Sequence, residues 1–271
     1  MRNFFLLLLG ITVLTSCSDF QKVLKSEDIA EKYKFGSDLY DQGKYSKANR
    51  LFAQIVPSYR GKPQAERLMY LYAKTFYEMK DYHLAGYQFE RFAESYPKSE
   101  KAEEAAFLGA KSYYELSPIY SKEQKETHEA IDKLQLFVNQ YPDSEYLEEA
   151  NKLVNELDYK LQKKAFEIAK QYNTTANFDS SDYEASIAAF EDFLFEYPGS
   201  SFREDAMYYR FDSAYQLAIN SIEYKKKNRL DTAKTYYDAL LRYYPETKYK
   251  DALVEMSSNM EAAMAQYNTK S

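Results

Sequence analysis

Tryptophan is absent from this chain, cysteine occurs once, histidine twice, and glycine and proline seven times each. Each shortage excludes something. A single cysteine, Cys17, leaves no partner for a disulfide within the chain. The two histidines, His83 and His128, stand in no metal-ligand spacing of the His-Glu-x-x-His kind. No Gly-x-Ser-x-Gly elbow or phosphate-binding glycine loop is present. Acidic pairs such as Glu103-Glu104 and Glu148-Glu149 fall in the first turns after expected helix caps, where they favour the helix dipole and face water. No catalytic constellation remains, so the chain is expected to be no enzyme and to need no metal or cofactor. A formal charge of −6 gives no excess of positive charge, which argues against a nucleic-acid partner. After roughly the first fifteen residues no run is long and apolar enough to span a bilayer.

What is abundant is tyrosine, 29 of 271 residues, with alanine, glutamate, lysine and leucine. Few glycines and prolines among such residues suit long helices joined by short turns. The first sixteen residues read as an address. Arg2 supplies a positive start, and Phe4 to Leu14 form an apolar run of signal-peptide length, too short to span. Leu14-Thr15-Ser16-Cys17 resembles the lipobox of bacterial lipoproteins, in which the cysteine is lipid-modified and becomes N-terminal. The mature chain is then expected to run from Cys17 to Ser271, held to a membrane by acyl chains, with residues 17–25 as a lipidated tether. The residue after the cysteine is Ser18 rather than Asp, which by the enterobacterial sorting rule implies the outer membrane.

The rest is organised by a punctuation mark that occurs four times: Tyr96-Pro97-Lys98-Ser99, Tyr141-Pro142-Asp143-Ser144, Tyr197-Pro198-Gly199-Ser200 and Tyr244-Pro245-Glu246-Thr247. Proline cannot continue a helix and pushes the residue before it out of helical geometry. The Ser or Thr two residues later can accept a free N–H of the next helix. Counting back from each Tyr-Pro, a 34-residue template emerges. Before Pro97 stand Tyr82, Ala85, Phe89 and Phe92; before Pro142, Ala130, Leu134 and Phe137; before Pro198, Tyr183, Ser186, Phe190 and Phe193; before Pro245, Leu230, Ala233, Tyr237 and Leu240. An earlier copy keeps Tyr45, Ala48 and Phe52. Small residues belong where helices cross, large ones where the core fills. This is the tetratricopeptide (TPR) pattern. It predicts an all-α solenoid of about five helix pairs. Pairs one to three are expected over 26–142, and pairs four and five with a final helix over 143–271. The excess over 34 residues goes into loops or longer helices, with insertions expected at Ser117–Lys125, Asn173–Asp182 and Asn220–Asn228. Leu253, Met256, Met260, Met264 and Tyr267 lie on one stripe of the last helix, which either caps the exposed core or forms a partner site.

In a TPR array the first helix of each pair lines the inner groove. One such template position carries Tyr33, Tyr70, Phe107, Lys152 and Tyr208, and a second, two turns on, carries Tyr40, Tyr77, Tyr114, Tyr159 and Tyr215. Tyr33, Tyr40, Tyr70, Tyr77, Phe107 and Tyr114 are the candidate groove for an extended peptide, held by ring packing with phenol hydroxyls bonding its backbone. The alternative is that these rings only fill space between neighbouring helices.

The lipobox, five long TPR units, Tyr-Pro-x-Ser/Thr junctions and closing helix together resemble the BamD family, lipoprotein subunits of the outer-membrane β-barrel assembly (BAM) machinery. The start Cys17-Ser18-Asp19-Phe20-Gln21-Lys22-Val23-Leu24-Lys25-Ser26 looks like the version found in Bacteroidota. The resemblance implies a scaffold without catalysis, on the periplasmic face of the outer membrane. It implies C-terminal repeats that dock the POTRA region of a BamA-like barrel protein, and N-terminal repeats that receive unfolded outer-membrane proteins. Two rivals are other periplasmic TPR adaptors of the Tol-associated kind and SusD-like glycan-binding lipoproteins. The first usually carries a coiled-coil or low-complexity stretch before the repeats, which is not visible here. The second is far longer and rich in tryptophan, of which this chain has none.

Overall fold

At each of the four Tyr-Pro junctions the chain takes the same path. The tyrosines end their helices with nearly identical backbone angles: φ −130°, ψ 59° at Tyr96; −128°, 66° at Tyr141; −122°, 63° at Tyr197; −132°, 73° at Tyr244. Each donates its N–H to the carbonyl four residues back, at 2.8–2.9 Å, and its own carbonyl accepts from the Ser or Thr of the motif. The ring of Tyr96, Tyr141 or Tyr197 leans on Phe92, Phe137 or Phe193 at 5.3–5.4 Å. The computed structural model describes residues 19–176, 178 and 180–268. Cys17, the expected signal peptide and Ser18 lie outside the described residues.

The architecture is all-α, five helix pairs in series with one closing helix, and no strand occurs among the described residues. Residues 19–25 are helical (α1). Then come α2 (Ile29–Asp41) with α3 (Tyr45–Tyr59), α4 (Ala65–Glu78) with α5 (Tyr82–Ser95), and α6 (Ala102–Leu116) with α7 (Lys125–Gln140). The fourth pair is α8 (Leu147–Thr175) with α9 (Ser181–Glu196), the fifth α10 (Arg203–Ile219) with α11 (Glu223–Tyr243), and α12 (Lys250–Asn268) closes the series. The template's small residues, Ala48, Ala85, Ala130, Ser186 and Ala233, are all fully buried, and Phe52, Phe89, Leu134 and Phe190 fill the core one turn on. At Gly36 the helices come so close that an added Cβ would lie 2.7 Å from the Phe52 ring.

The chain forms two compact units. The first comprises the described residues up to Pro118 and Glu123–Leu157; the second comprises Ile119–Lys122 and the chain from Asp158. The division falls inside α8, not at the Pro142 junction expected from the repeats, because the fourth pair spends its extra length on a 29-residue helix. The first part of α8 places Ala150, Leu153 and Leu157 in the core of α6 and α7. The later part places Phe166 and Ala169 against α9 and α10. The expected insertion at Asn173–Asp182 is correspondingly short, since helix continues to Thr175 and resumes at Ser181. The one at Asn220–Asn228 mainly lengthens α11, whereas residues 117–124 are a true loop.

The leading segment also departs from expectation. Residues 19–25, read as tether, are helical and packed. Phe20 is 2% exposed and Val23 6%, both in the core of α2 and α3. Their spacing of three puts both on one face, which polar flanks such as Lys22 and Lys25 disguise in the sequence. At the other end, Leu253, Met256 and Met260 of α12 are buried against α10 and α11. The stripe is a cap.

In the second unit a polar chain crosses the core. Asn173 donates to Asp212 (2.8 Å) and Ser213 (2.9 Å), and Ser213 donates to Ser186 (2.9 Å). Burial pushes the Asp212 carboxyl up, against the opposing pull of hydrogen bonds from Asn173 and Gln216. The folded state therefore holds a proton there more tightly than the unfolded chain, and this group's contribution to stability falls as pH rises above the ordinary carboxylate range. Asp212→Asn is expected to be more stable than the natural chain at neutral pH. The advantage should shrink in urea titrations repeated near about pH 4.

Candidate functional site

The first helices of the first three pairs present the tyrosine face, and α2 and α4 touch each other directly. Tyr33, Tyr40, Tyr70, Tyr77 and Tyr114 are half-buried, and Phe107 is buried at 2%. Phe107 stacks on Tyr146 at 4.7 Å and leans on Phe137 at 5.4 Å. It is therefore a core residue, not a groove contact. The others each show one side and bury the other. Tyr33 stacks on Tyr59 at 5.4 Å, Tyr40 meets Tyr45 edge-on at 5.3 Å, Tyr70 packs on Phe92 at 5.5 Å, and Tyr77 meets Tyr82 at 5.6 Å. Space-filling and exposure are thus properties of the same rings.

The hydroxyls divide into two sets. Tyr114 donates to Glu156 at 2.6 Å, and Tyr70 shares a hydrogen bond with Glu104, which Lys101 also holds at 2.8 Å. Tyr33, Tyr40 and Tyr77 make no side-chain hydrogen bond among the described residues. Burial raises the Tyr40 phenol to about 12, helped by the nearby Glu78 carboxylate. Burial and then Glu115 raise Tyr77 to about 12. Tyr114 is also raised to about 12, chiefly by its bond to Glu156, while Tyr70 is pushed up by burial and then by Glu104. Burial works to raise Glu104. The bonds from Lys101 and Tyr70, with the charges of Lys101 and Lys74, outweigh it and hold the carboxyl below its ordinary range. The raised phenols of Tyr40, Tyr70, Tyr77 and Tyr114 are neutral at physiological pH and able to donate.

Sequence reasoning missed these charged partners, and a signal for them exists. Arg67, Lys74, Glu104, Lys111, Glu149 and Glu156 each stand three residues before an aromatic-ladder position. That is one turn away on the same face. Each carboxylate therefore meets the tyrosine or lysine of the preceding pair, as Tyr70 with Glu104, Tyr114 with Glu156, and Lys111 with Glu149 at 2.6 Å.

A second missed set lies at the junctions. The motif hydroxyl accepts from the N–H two residues on, at 3.0 Å for Ser99 and Ser144 and 3.3 Å for Thr247, which closes the turn before the next helix rather than capping the helix itself. At three of the four junctions it also donates to a glutamate at the start of the preceding pair. Ser99 reaches Glu66 at 2.6 Å, Ser144 reaches Glu103 at 2.5 Å, and Thr247 reaches Glu204 at 2.7 Å. Each clasp ties one repeat to the next. Ser144→Ala removes both bonds and is expected to cost about 1–3 kcal/mol, read as a lower urea midpoint with unchanged helicity in the folded baseline.

In the second unit the ladder positions are spent on packing. Tyr208 lies parallel to Tyr249 at 3.7 Å, Tyr215 is 8% exposed, and Tyr159, though exposed, stacks on Phe202 at 5.2 Å. Among the described residues no group of three or more His, Cys, Asp or Glu side chains is placed to hold a metal.

A family model described as outer membrane lipoprotein, YfiO, matches residues 25–178 and 171–270. This chain belongs to the YfiO family of outer membrane lipoproteins. The YfiO matches begin at the end of α1 and run through the whole of α12, so they take in both the tyrosine face and the cap. No curated protein matches the chain.

Proposed function

We propose that this YfiO-family member is a scaffold of the outer-membrane β-barrel assembly machinery, of the BamD kind. It is anchored through a lipid on Cys17 at the periplasmic face and acts without catalysis. The first unit receives extended segments of unfolded barrel proteins across Tyr33, Tyr40 and Tyr77. The second unit docks the POTRA region of a BamA-like partner. Membership of an outer-membrane lipoprotein family supports the setting. The observation that carries the binding role is the trio of half-buried tyrosines whose hydroxyls are unengaged. Their rings are already fixed by Tyr59, Tyr45 and Tyr82, so a guest strand gains ring contact and hydrogen bonds at little ordering cost.

The test is titration of the purified mature protein with a labelled peptide copying the C-terminal strand of a barrel protein, which ends in an aromatic residue. The double variant Tyr40→Ala/Tyr77→Ala is expected to weaken binding by roughly tenfold or more. Tyr40→Phe/Tyr77→Phe should lose only the hydrogen-bonding part, a few-fold. Unchanged affinity in a double alanine variant with a native circular-dichroism spectrum would remove the tyrosine face from the account.

A further inference from the structure

One segment carries charge of a sign opposite to the rest of the chain. From Gln42 to Ala65 there are 24 residues with five cations, Lys44, Lys47, Arg50, Arg60 and Lys62, and no acid, in a protein of net charge −6. Lys44, Lys47 and Arg50 recur every three residues at the start of α3, on one side of the helix. Lys47 and Arg50 both sit 5.4 Å from the ring centre of Phe20. α1 adds Lys22 and Lys25, both exposed, against the single carboxylate of Asp19. None of these seven cations forms an ion pair among the described residues.

This cluster surrounds the point where the lipid joins. Phe20 is three residues from Cys17, so their Cα atoms are at most about 11 Å apart however the chain runs between them. Because Phe20 is packed in the core, no slack remains beyond those three residues. Acyl chains on Cys17 enter the bilayer directly beside α1. The cations at Phe20 then lie at most about 20 Å from the anchored residue, roughly two Debye lengths of ~8–10 Å each, so attraction to anionic lipid reaches them and grows as salt is lowered.

We propose that α1 and the first turns of α3 form a membrane-apposed surface, with Lys22, Lys44, Lys47 and Arg50 binding anionic phospholipid headgroups. This rests on the lipid anchor at Cys17. The acyl chains supply attachment, and the cations supply orientation. Together they set which face of the first unit meets the bilayer, as a second, electrostatic signal beside the lipid.

The experiment uses the full-length lipidated protein in two kinds of vesicle, one zwitterionic and one containing roughly one-third anionic phospholipid. Amine acetylation rates are read lysine by lysine by mass spectrometry. Lys22, Lys44 and Lys47 are expected to react about fivefold more slowly on anionic than on zwitterionic vesicles at low salt, and high salt should abolish the difference. Exposed Lys98, in the junction after α5, should react equally on both. In Lys44→Glu/Arg50→Glu, whose altered side chains are both exposed, Lys22 and Lys47 should lose their protection. Equal rates at Lys22, Lys44 and Lys47 on both vesicles, with the protein bound to each, would overturn the proposal. A protein that stays with neither vesicle would overturn the anchor on which it rests.

Discussion

Phe89→Ala is expected to cost about 3–5 kcal/mol, a large share of the roughly 5–15 kcal/mol that holds a typical domain together. Phe89 is fully buried in α5, with Tyr70 and Tyr77 edge-on to its ring at 6.3 and 6.2 Å. Gly109 of α6 passes so close that a Cβ there would lie 3.3 Å from the Phe89 Cβ, so the second and third pairs converge on this side chain. Neighbouring helices cannot collapse into the vacated volume without moving the backbone, and the cavity term adds to the lost burial. Tyr70 and Tyr77 lose their backing at the same time. Urea denaturation should show the fall in midpoint, and peptide affinity should fall with it even where the variant remains folded. A loss below about 1 kcal/mol would mean that this position is not the shared core of the repeats.

Met260→Asp is expected to undock α12 and cost about 3 kcal/mol or more. Met260 is 1% exposed, in one cluster with Leu253, Met256, Phe211, Leu230 and Ala233. A carboxylate there has no cation to meet in that cluster, so burying it is costlier than releasing the helix. Val254, on the same helix but 64% exposed, is the control, and Val254→Asp should stay within about 0.5 kcal/mol of the natural protein. Hydrogen exchange at the amides of α12 reads the result directly. Fast exchange throughout α12 and the end of α11 in Met260→Asp follows from a cap on an otherwise open repeat end. Native protection in that variant would make the methionine stripe a partner surface instead.

The parts of this molecule visible in the sequence are those fixed by short-range rules. Tyr-Pro-x-Ser/Thr announces the junctions because proline and a hydroxyl act on their immediate neighbours. Ala48, Ala85, Ala130, Ser186 and Ala233 announce the crossings because only small residues fit there. The parts that stayed hidden depend on length and partnership. Asn, Ser and Asp cluster at Asn173–Asp182 and predict a loop for part of the extra length of the fourth pair. The helix instead absorbs most of it, and the division between units falls at Leu157, in a stretch with no local marker. Phe20 and Val23 looked like tether because seven residues show too little periodicity to reveal a buried face. The ladder was legible as a repeat of aromatics. Which rings face outward was not, since Phe107 and Tyr77 occupy equivalent kinds of position and differ only in what the next pair places on them. Phe107 meets Tyr146 and disappears into the core, whereas Tyr77 keeps an open edge.

The central claim is that this lipoprotein is a scaffold of β-barrel assembly, and the most direct measurement is crosslinking in intact outer membranes. The tagged protein is recovered after crosslinking, and the joined peptides are identified by mass spectrometry. The account predicts crosslinks from the second unit, α9 to α12, to a POTRA-containing barrel protein, and from Tyr40 and Tyr77 in the first unit to C-terminal segments of barrel proteins. Clean recovery of the tagged protein with other envelope proteins and no POTRA-containing partner would contradict it.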